Sequence, residues 1–201
     1  KAGEHQVNLM DYTSVLRSYA KNGSIDQAQK LLEHMEQRYE KGLTDDSPNS
    51  ISYSCVIDAC ANSKDGAKAV DCASNLIKHM ENENHRSNIR PTAITYTGLL
   101  KTYANAGLAE EAEDILEHMD RLHQEGRLRD PPNVIHFSCV VEAWGKSDDP
   151  NAVQRAEALF DRVRNSNHPH MQPNLICYSN LLLVYKQRKM TQEAITVLKE
   201  M

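Results

Sequence analysis

The chain has 201 residues, of which 25% are charged and 40% hydrophobic, and its formal net charge is -5. This balance is that of an ordinary soluble protein and excludes a nucleic-acid binder that works through bulk positive charge. Five cysteines without a Cys-x-x-Cys pair argue against a disulfide framework, and no apolar run is long enough to span a bilayer. The start at Lys1 and the stop at Met201, inside a predicted helix, indicate a fragment of a longer protein.

A short motif recurs four times along the chain. It begins with a proline and a small polar residue, continues with an apolar residue and an aromatic, and ends on a side-chain hydroxyl. The copies are PNSISYS at Pro48, PTAITYT at Pro91, PNVIHFS at Pro132 and PNLICYS at Pro173. Self-similarity at this spacing predicts a repeat architecture.

Each repeat contains two amphipathic helical patterns. In the first repeat, apolar residues between Tyr12 and Tyr19 follow the helical period, and a second such stripe runs from Ala28 to Met35. Lys21, Asn22 and Gly23 separate the two stripes, and Ser24 is predicted to cap the second helix with its hydroxyl. The repeat is therefore predicted to be a helical hairpin.

Stacking of these hairpins is the predicted fold. One hairpin cannot bury both of its apolar stripes, whereas stacked neighbours bury them as a continuous core. The sequence predicts an all-α solenoid over residues 1–201, with repeats at 9–49, 50–92, 93–133 and 134–174 and a partial repeat at 175–201. Inter-helix turns are short in the first and third repeats and long in the second and fourth. Whether the long turns stiffen the stack or dock a partner protein is left open.

Signatures of enzymes and metal sites fail on inspection. Residues 145–147 read Gly-Lys-Ser, like the end of a phosphate-binding loop, but Val140 replaces the glycine that such a loop requires. The histidines at residues 168 and 170 have no neighbouring cysteines. Three further histidines occupy the same position in successive repeats, which indicates a structural role rather than metal binding: His34, His79 and His118. No catalytic residue, metal, cofactor or small-molecule substrate is predicted.

Three rows of residues recur outside the core stripes. A hydroxyl follows each aromatic: Thr13, Ser54, Thr97, Ser138 and Ser179. A hydrogen-bonding residue follows each motif proline: Asn49, Thr92, Asn133 and Asn174. An apolar residue stands two places before each aromatic: Met10, Ile51, Ile94, Ile135 and Ile176. The polar rows either line a groove formed by the first helices or reflect common descent and ordinary surface polarity. The apolar row either stacks on flat bases or packs against the neighbouring hairpin.

The first helices are less acidic than the rest of the chain. They contain five Lys or Arg against three Asp or Glu, while the whole chain carries a net charge of -5. A groove lined by these helices suits a polyanion better than the remaining surface does.

Long strings of the chain resemble pentatricopeptide repeat proteins of the pure-repeat kind. They include ISYSCVIDACANS, ITYTGLLKTYANAGLAEEAEDILEHM and ICYSNLLLVYKQRKMTQEAITVLKEM, and the match runs essentially from Leu9 to Met201. The resemblance implies a right-handed superhelix that binds single-stranded RNA with one base per repeat. It also implies a place in mitochondria or plastids, in the processing, stability, editing or translation of transcripts.

The resemblance further implies a role for each row. The hydroxyl and the residue after the next proline would read the base edge together, and the apolar residue would sandwich the base. Adenine is implied for three pairs: Thr13 with Asn49, Thr97 with Asn133, and Ser138 with Asn174. Ser54 with Thr92 has no standard base, so the implied order is A, unknown, A, A, and Ser179 has no second residue within the chain. Lys21 and Lys146 occupy the position that contacts the RNA backbone in the family.

The function predicted is therefore sequence-specific binding of single-stranded RNA without catalysis. The alternative is a protein-interaction scaffold, because stacked hairpins also display grooves for helices and peptides. The acidic bulk charge favours that alternative, and the long turns would be its docking points. The two differ in whether the polar rows affect RNA binding.

Overall fold

The computed structural model describes residues 7–82, 89–167 and 171–201. The segment 168–170, which carries two of the histidines considered above, lies outside the described residues. Within them the chain forms ten α-helices and no strand. The helices are α1 Leu9–Asn22, α2 Ile25–Glu40, α3 Ser50–Ala61, α4 Gly66–Glu81, α5 Ala93–Ala106, α6 Ala109–Gln124, α7 Val134–Lys146, α8 Ala152–Arg164, α9 Leu175–Gln187 and α10 Thr191–Glu200.

The chain divides into two compact units, Lys1–Thr102 and Tyr103–Met201. In the first unit α1 packs against its hairpin partner α2 and against α3, and α3 also packs against α2 and α4. In the second unit α7 packs against α6, α8 and α9, and α9 also packs against α8 and α10. The predicted all-α repeat fold of helical hairpins is confirmed. The assignment of residues 1–201 to one solenoid and the repeat limits stay predictions.

The core of each unit consists of the apolar stripes that the sequence shows. Leu16, Val56 and Ile57 are fully buried in the first unit, and Leu116 and Val140 in the second. Burial of each such side chain contributes about 1.5–3 kcal/mol relative to exposure, which is why the first helix of a hairpin packs against the second helix of the preceding one.

Hydrogen bonds from aromatic side chains to glutamates also join successive hairpins. The Tyr53 hydroxyl donates to Glu36, and its ring stacks on His79 with the centroids 5.5 Å apart. In the second unit the indole Nε1 of Trp144 donates to Glu113 over 3.0 Å, and the Tyr185 hydroxyl donates to Glu157 over 2.7 Å. The amphipathic pattern does not reveal these bonds, because the glutamates read as ordinary surface residues.

The short inter-helix turns depend on a left-handed backbone residue. Gly23 has φ of 64° and ends α1, and Gly107 has φ of 71° and ends α5. The longer turns, at residues 62–65 and 147–151, contain no such residue. The prediction that short and long turns alternate over the first four hairpins is confirmed. The capping prediction for Ser24 was wrong in its chemistry, because Ser24 stands at the N-cap of α2 but its side chain makes no capping hydrogen bond.

Lys189 takes the place of the glycine in the last turn, with φ of 57°. A side chain with a Cβ in this region costs roughly 1–2 kcal/mol. We expect Lys189→Gly to raise the unfolding free energy by about 0.5–1 kcal/mol, because glycine removes that cost but loses more backbone entropy on folding. Urea denaturation followed by circular dichroism checks this. A lower stability for the glycine variant would contradict the left-handed geometry.

Candidate nucleic-acid interface

Neighbouring first helices lie against each other in both units. α1 contacts α3 in the first unit, and α7 contacts α9 in the second. On each of these helices, the residues four and eight places after the hydroxyl residue lie on the same face as the hydroxyl. In α1 these positions hold Thr13, Arg17 and Lys21, and in α7 they hold Ser138, Glu142 and Lys146. The predicted hydroxyl and the predicted lysine therefore share one face of α1 and of α7.

The asparagines after the motif prolines are helix N-caps. The Oδ1 atom of Asn49 accepts from the backbone N–H groups of Ile51 and Ser52, at 3.0 and 3.2 Å. Asn133 accepts from the N–H of Ile135 and Asn174 from that of Cys177, each at 3.0 Å. The side-chain oxygens thus accept helix N–H groups, whereas the Nδ2 atoms of Asn49, Asn133 and Asn174 donate no hydrogen bond within the described part of the chain. Each Nδ2 group is therefore the part of the amide that can donate to a further partner.

The sequence interpretation missed this capping role. A polar residue directly before an apolar helical pattern is the usual signature of an N-cap, and it was present in all four copies of the motif. Thr92 plays the same part for α5, because its Oγ1 atom accepts from the N–H of Thr95 at 3.3 Å. A substitution in this row therefore leaves the helix N-terminus intact only if the new residue also caps the helix.

Three hydroxyls of the first row donate to the backbone of their own helix. Thr13 donates to the Leu9 carbonyl at 2.7 Å, Thr97 to Ala93 at 3.0 Å, and Ser138 to Val134 at 2.7 Å. A hydroxyl has one hydrogen, so these groups have committed it and can offer other partners only a lone pair.

The hydroxyls differ in exposure. Thr13, Ser54 and Thr97 are half-buried and Ser179 is exposed. Ser138 is buried, and its Oγ lies 2.8 Å from the Sγ of Cys177. The row is therefore continuous in sequence but not equally accessible, and access to Ser138 requires the Cys177 side chain to move.

The apolar row is exposed throughout. Its members keep between 46 and 78% of their surface accessible: Met10, Ile51, Ile94, Ile135 and Ile176. The core residues of the same helices are almost completely buried. Packing against a neighbouring hairpin therefore does not account for this row, and each first helix presents an apolar side chain to solvent in its first turn.

The two predicted backbone-contacting lysines have different surroundings. Lys21 is exposed in the last turn of α1. The Nζ of Lys146 lies 2.6 Å from a Glu142 carboxylate oxygen and 3.0 Å from the Oδ1 of Asn105. Lys146 is therefore already paired with an anion, which reduces the attraction it can exert on a phosphate. Arg17 and Lys101, exposed one turn beyond the hydroxyls, are two further cations on this face that the sequence interpretation missed.

A second carboxylate besides Glu142 lies on the corresponding face of α3. Asp58 follows Ser54 by one turn and is half-buried, and its burial raises its pKa, while the nearby Lys101 acts in the opposite direction. Burial likewise raises the pKa of the neighbouring Cys55 thiol, with a further contribution from Asp58, against Arg17. The thiol is thus protonated near neutral pH, and this face carries cations on either side of a partly desolvated acid.

The described residues contain neither a membrane-spanning helix nor a cluster of metal ligands. No helix there has the length and apolar character needed to cross a bilayer. Nor do three or more His, Cys, Asp or Glu side chains gather there as metal ligands would.

Helical hairpins repeated along the chain, each with an exposed apolar residue in its first turn and all but the first opening with a Pro-Asn or Pro-Thr cap, define a helical-repeat protein. Two family descriptions match it. The description "Pentacotripeptide-repeat region of PRORP" matches residues 18–125, and "PPR repeat" matches residues 176–201. The chain belongs to the pentatricopeptide repeat family.

Curated relatives come from Arabidopsis thaliana. One pentatricopeptide repeat-containing protein is 25% identical over 190 residues, which cover 94% of this chain and 29% of the relative. A chloroplastic one is 26% identical over 196 residues, covering 96% of this chain and 22% of the relative. A mitochondrial one is 24% identical over 179 residues, covering 89% and 32%. The chain thus spans about a third or less of the length of these relatives.

Solved structures show a weaker likeness. Two crystal structures of the pentatricopeptide repeat protein PPR10 in complex with an 18-nt psaJ RNA element match with a TM-score of 0.47 and 18% identity. Each match covers 100% of this chain and 35% of PPR10.

Proposed function

We propose that this chain binds single-stranded RNA along its first helices, with one base per hairpin, and has no catalytic activity of its own. The observation that carries the proposal is the row of exposed apolar residues beside the row of capping asparagines, whose oxygens accept helix N–H groups. Five apolar side chains at one repeat position stay accessible although the adjoining core residues are buried. Exposed apolar groups at regular intervals can hold the flat faces of successive bases, which stack without regard to sequence.

The hydrogen-bonding polarity of two sites supports a base preference. Thr13 and Ser138 have committed their hydroxyl hydrogens to helix carbonyls, and Asn49 and Asn174 have committed their oxygens to helix caps. Each pair therefore combines a hydroxyl acceptor with an amide donor. Adenine and cytosine present an amino donor next to a ring-nitrogen acceptor, which is the complement of that pair. Guanine and uracil present a carbonyl next to a ring N–H, which is the reverse.

The proposed preference over the four complete repeats is A, unknown, A, A. A short Thr or Ser leaves room for a purine, which favours adenine over cytosine at the sites of Thr13 and Ser138. The residues proposed to contact the base edges are Thr13 with Asn49, Ser54 with Thr92, Thr97 with Asn133, Ser138 with Asn174, and Ser179. Met10, Ile51, Ile94, Ile135 and Ile176 sandwich the bases, and Lys21 and Lys146 contact the backbone. Because Lys146 is paired with Glu142, we expect Lys21 to contribute more.

The setting proposed is a mitochondrion or plastid, where the protein acts on the processing, stability or translation of a transcript. The support is family membership and the organelles in the names of the chloroplastic and mitochondrial relatives. Single-stranded RNA is the partner proposed.

The experiment truncates the apolar row. We expect the double variant Ile51→Ala, Ile94→Ala to bind a single-stranded A-rich RNA roughly 30-fold more weakly, from about 1 kcal/mol of lost stacking contact at each site. Fluorescence anisotropy at fixed salt measures this. Both side chains are exposed, so folding is expected to be unaffected.

Leu43→Ala is the matched control, because Leu43 is also exposed but lies in the loop after α2. It should bind like the parent chain. If truncating Ile51 and Ile94 has no more effect than truncating Leu43, the stacking role is wrong. If the chain binds no single-stranded RNA, the protein-interaction scaffold becomes the better account.

A further inference from the structure

A chain of three hydroxyls joins the two predicted reading residues of the second site. The Oγ of Ser54 lies 2.9 Å from the Oγ1 of Thr95, which in turn lies 3.1 Å from the Oγ1 of Thr92. Thr95 is the third residue of α5 and is buried, whereas Ser54 is half-buried and Thr92 is exposed. A buried hydroxyl thus connects the two groups that would face the base.

This arrangement of hydroxyls differs from that at Thr13 and Ser138. Thr13 and Ser138 donate their hydrogens to the carbonyl four residues earlier, so their polarity is set by the helix. Ser54 makes no such bond, and its described partner is Thr95. The position of Thr95 holds Cys177 in the last hairpin, where a thiol replaces the hydroxyl beside Ser138.

The hydrogens and lone pairs available allow the three hydroxyls two hydrogen-bonding arrangements. The backbone N–H of Thr92 donates to the Oγ1 of Thr95 at 3.0 Å and occupies one lone pair. Thr95 then has one lone pair and one hydrogen left for its two hydroxyl neighbours. It must accept from one of them and donate to the other, because it cannot do the same to both.

The two states present opposite polarity to a ligand. When Ser54 donates to Thr95, Thr95 donates to Thr92, whose second lone pair already accepts the N–H of Thr95. Thr92 then offers only its hydrogen and Ser54 only lone pairs. When the direction reverses, Ser54 offers its hydrogen and Thr92 a lone pair.

We propose that the second site is a reversible hydroxyl relay that accepts all four bases, with Thr95 as the positioning residue that makes it permissive. One direction complements the amino and ring-nitrogen pair of adenine or cytosine, and the other complements the carbonyl and ring N–H of uracil or guanine. Rotation of the hydroxyls from one direction to the other costs little free energy, because both hydrogen bonds that link Ser54, Thr95 and Thr92 are kept. The proposal rests on RNA binding by this chain and concerns the position left unassigned between two adenine sites.

The experiment uses four labelled RNAs that contain the core A-x-A-A and differ only in x. We expect the parent chain to bind all four within about threefold of one another. Thr95→Val keeps the shape but removes the Oγ1 atom, so Ser54 turns to the carbonyl of Ser50 and becomes a fixed acceptor. This variant should prefer A or C at x over U or G by about tenfold.

Thr95→Ser is the conservative variant, since it keeps the hydroxyl, and it should remain as permissive as the parent chain. Circular dichroism and binding at x = A show that each variant is folded and competent. Discrimination of tenfold or more by the parent chain, or equal binding of the four RNAs by Thr95→Val, overturns the relay while leaving RNA binding intact. Failure of the parent chain to bind any of the four RNAs overturns both proposals.

Discussion

Replacing Gly23 by alanine should destabilise the first unit by about 3 kcal/mol or more. The left-handed backbone at φ of 64° alone costs an alanine roughly 1–2 kcal/mol. In addition, a Cβ at this position would overlap the carbonyl oxygen of Asn62 and lie 2.7 Å from its carbonyl carbon. Overpacking of this kind adds roughly 1–3 kcal/mol.

The close approach follows from how α3 packs on α1. The Nδ2 of Asn62 donates to the carbonyl of Ala20 at 3.0 Å, which holds the end of α3 against the turn after α1. The clashing atoms are backbone, so they cannot rotate away as a side chain would. A cost of this size lowers the melting temperature by about 10 °C in a chain of this length.

Two other glycines separate the contributions. Gly42 has the same φ of 64° with nothing within 4 Å of the added Cβ, so Gly42→Ala measures the backbone cost alone. Gly107 has φ of 71° and an added Cβ would lie 3.4 Å from the Lys146 carbonyl oxygen, so Gly107→Ala should fall between the two. Thermal unfolding followed by circular dichroism ranks the three variants. If Gly23→Ala is no worse than Gly42→Ala, the stacking distance between these hairpins is wrong.

The second large effect concerns the amide donors. The double variant Asn49→Asp, Asn174→Asp should lose about 30-fold or more in affinity for A-rich RNA, because the proposed amide donor to each base is replaced by a carboxylate that repels the ring nitrogen, at about 1–3 kcal/mol each. Aspartate caps a helix as well as asparagine does, so the folded state should be unaffected. The relative preference should move toward guanine or uracil, whose ring N–H can donate to the new carboxylate.

The control is Asn151→Asp at the N-cap of α8, the second helix of its hairpin, which adds one negative charge where the double variant adds two. It should reduce affinity less than threefold, through charge alone. Anisotropy titrations with A-rich and U-rich single strands compare the variants. Equal losses in the double variant and the control would show that these asparagines do not read bases.

The fold was predictable because every hairpin repeats the same signals. Periodic apolar residues such as Leu16, Val56 and Val140 predict where the helices lie. The glycines in the short turns predict the alternation of turn lengths. The Tyr53 and Trp144 bonds to glutamates were not predictable, since a surface glutamate on one helix does not reveal a partner on the next.

The candidate site was predictable in its residue types but not in its hydrogen bonds. The periodic position of Ile94 marks an apolar row, but only the structure shows that it is exposed. The role of Asn49 as a cap, the pairing of Lys146 with Glu142 and the contact of Ser54 with Thr95 all depend on atoms that the repeat pattern does not place. The roles of these residues toward RNA stay predictions.

Binding of the chain to labelled single-stranded RNA tests the central proposal most directly. Four complete sites at about 2 kcal/mol each correspond to micromolar affinity. At fixed salt, anisotropy should show tighter binding to an A-rich single strand than to U-rich or C-rich strands, and little binding to a duplex. Absence of binding to every single strand at low salt, or equal affinity for the duplex, would contradict base reading by this groove.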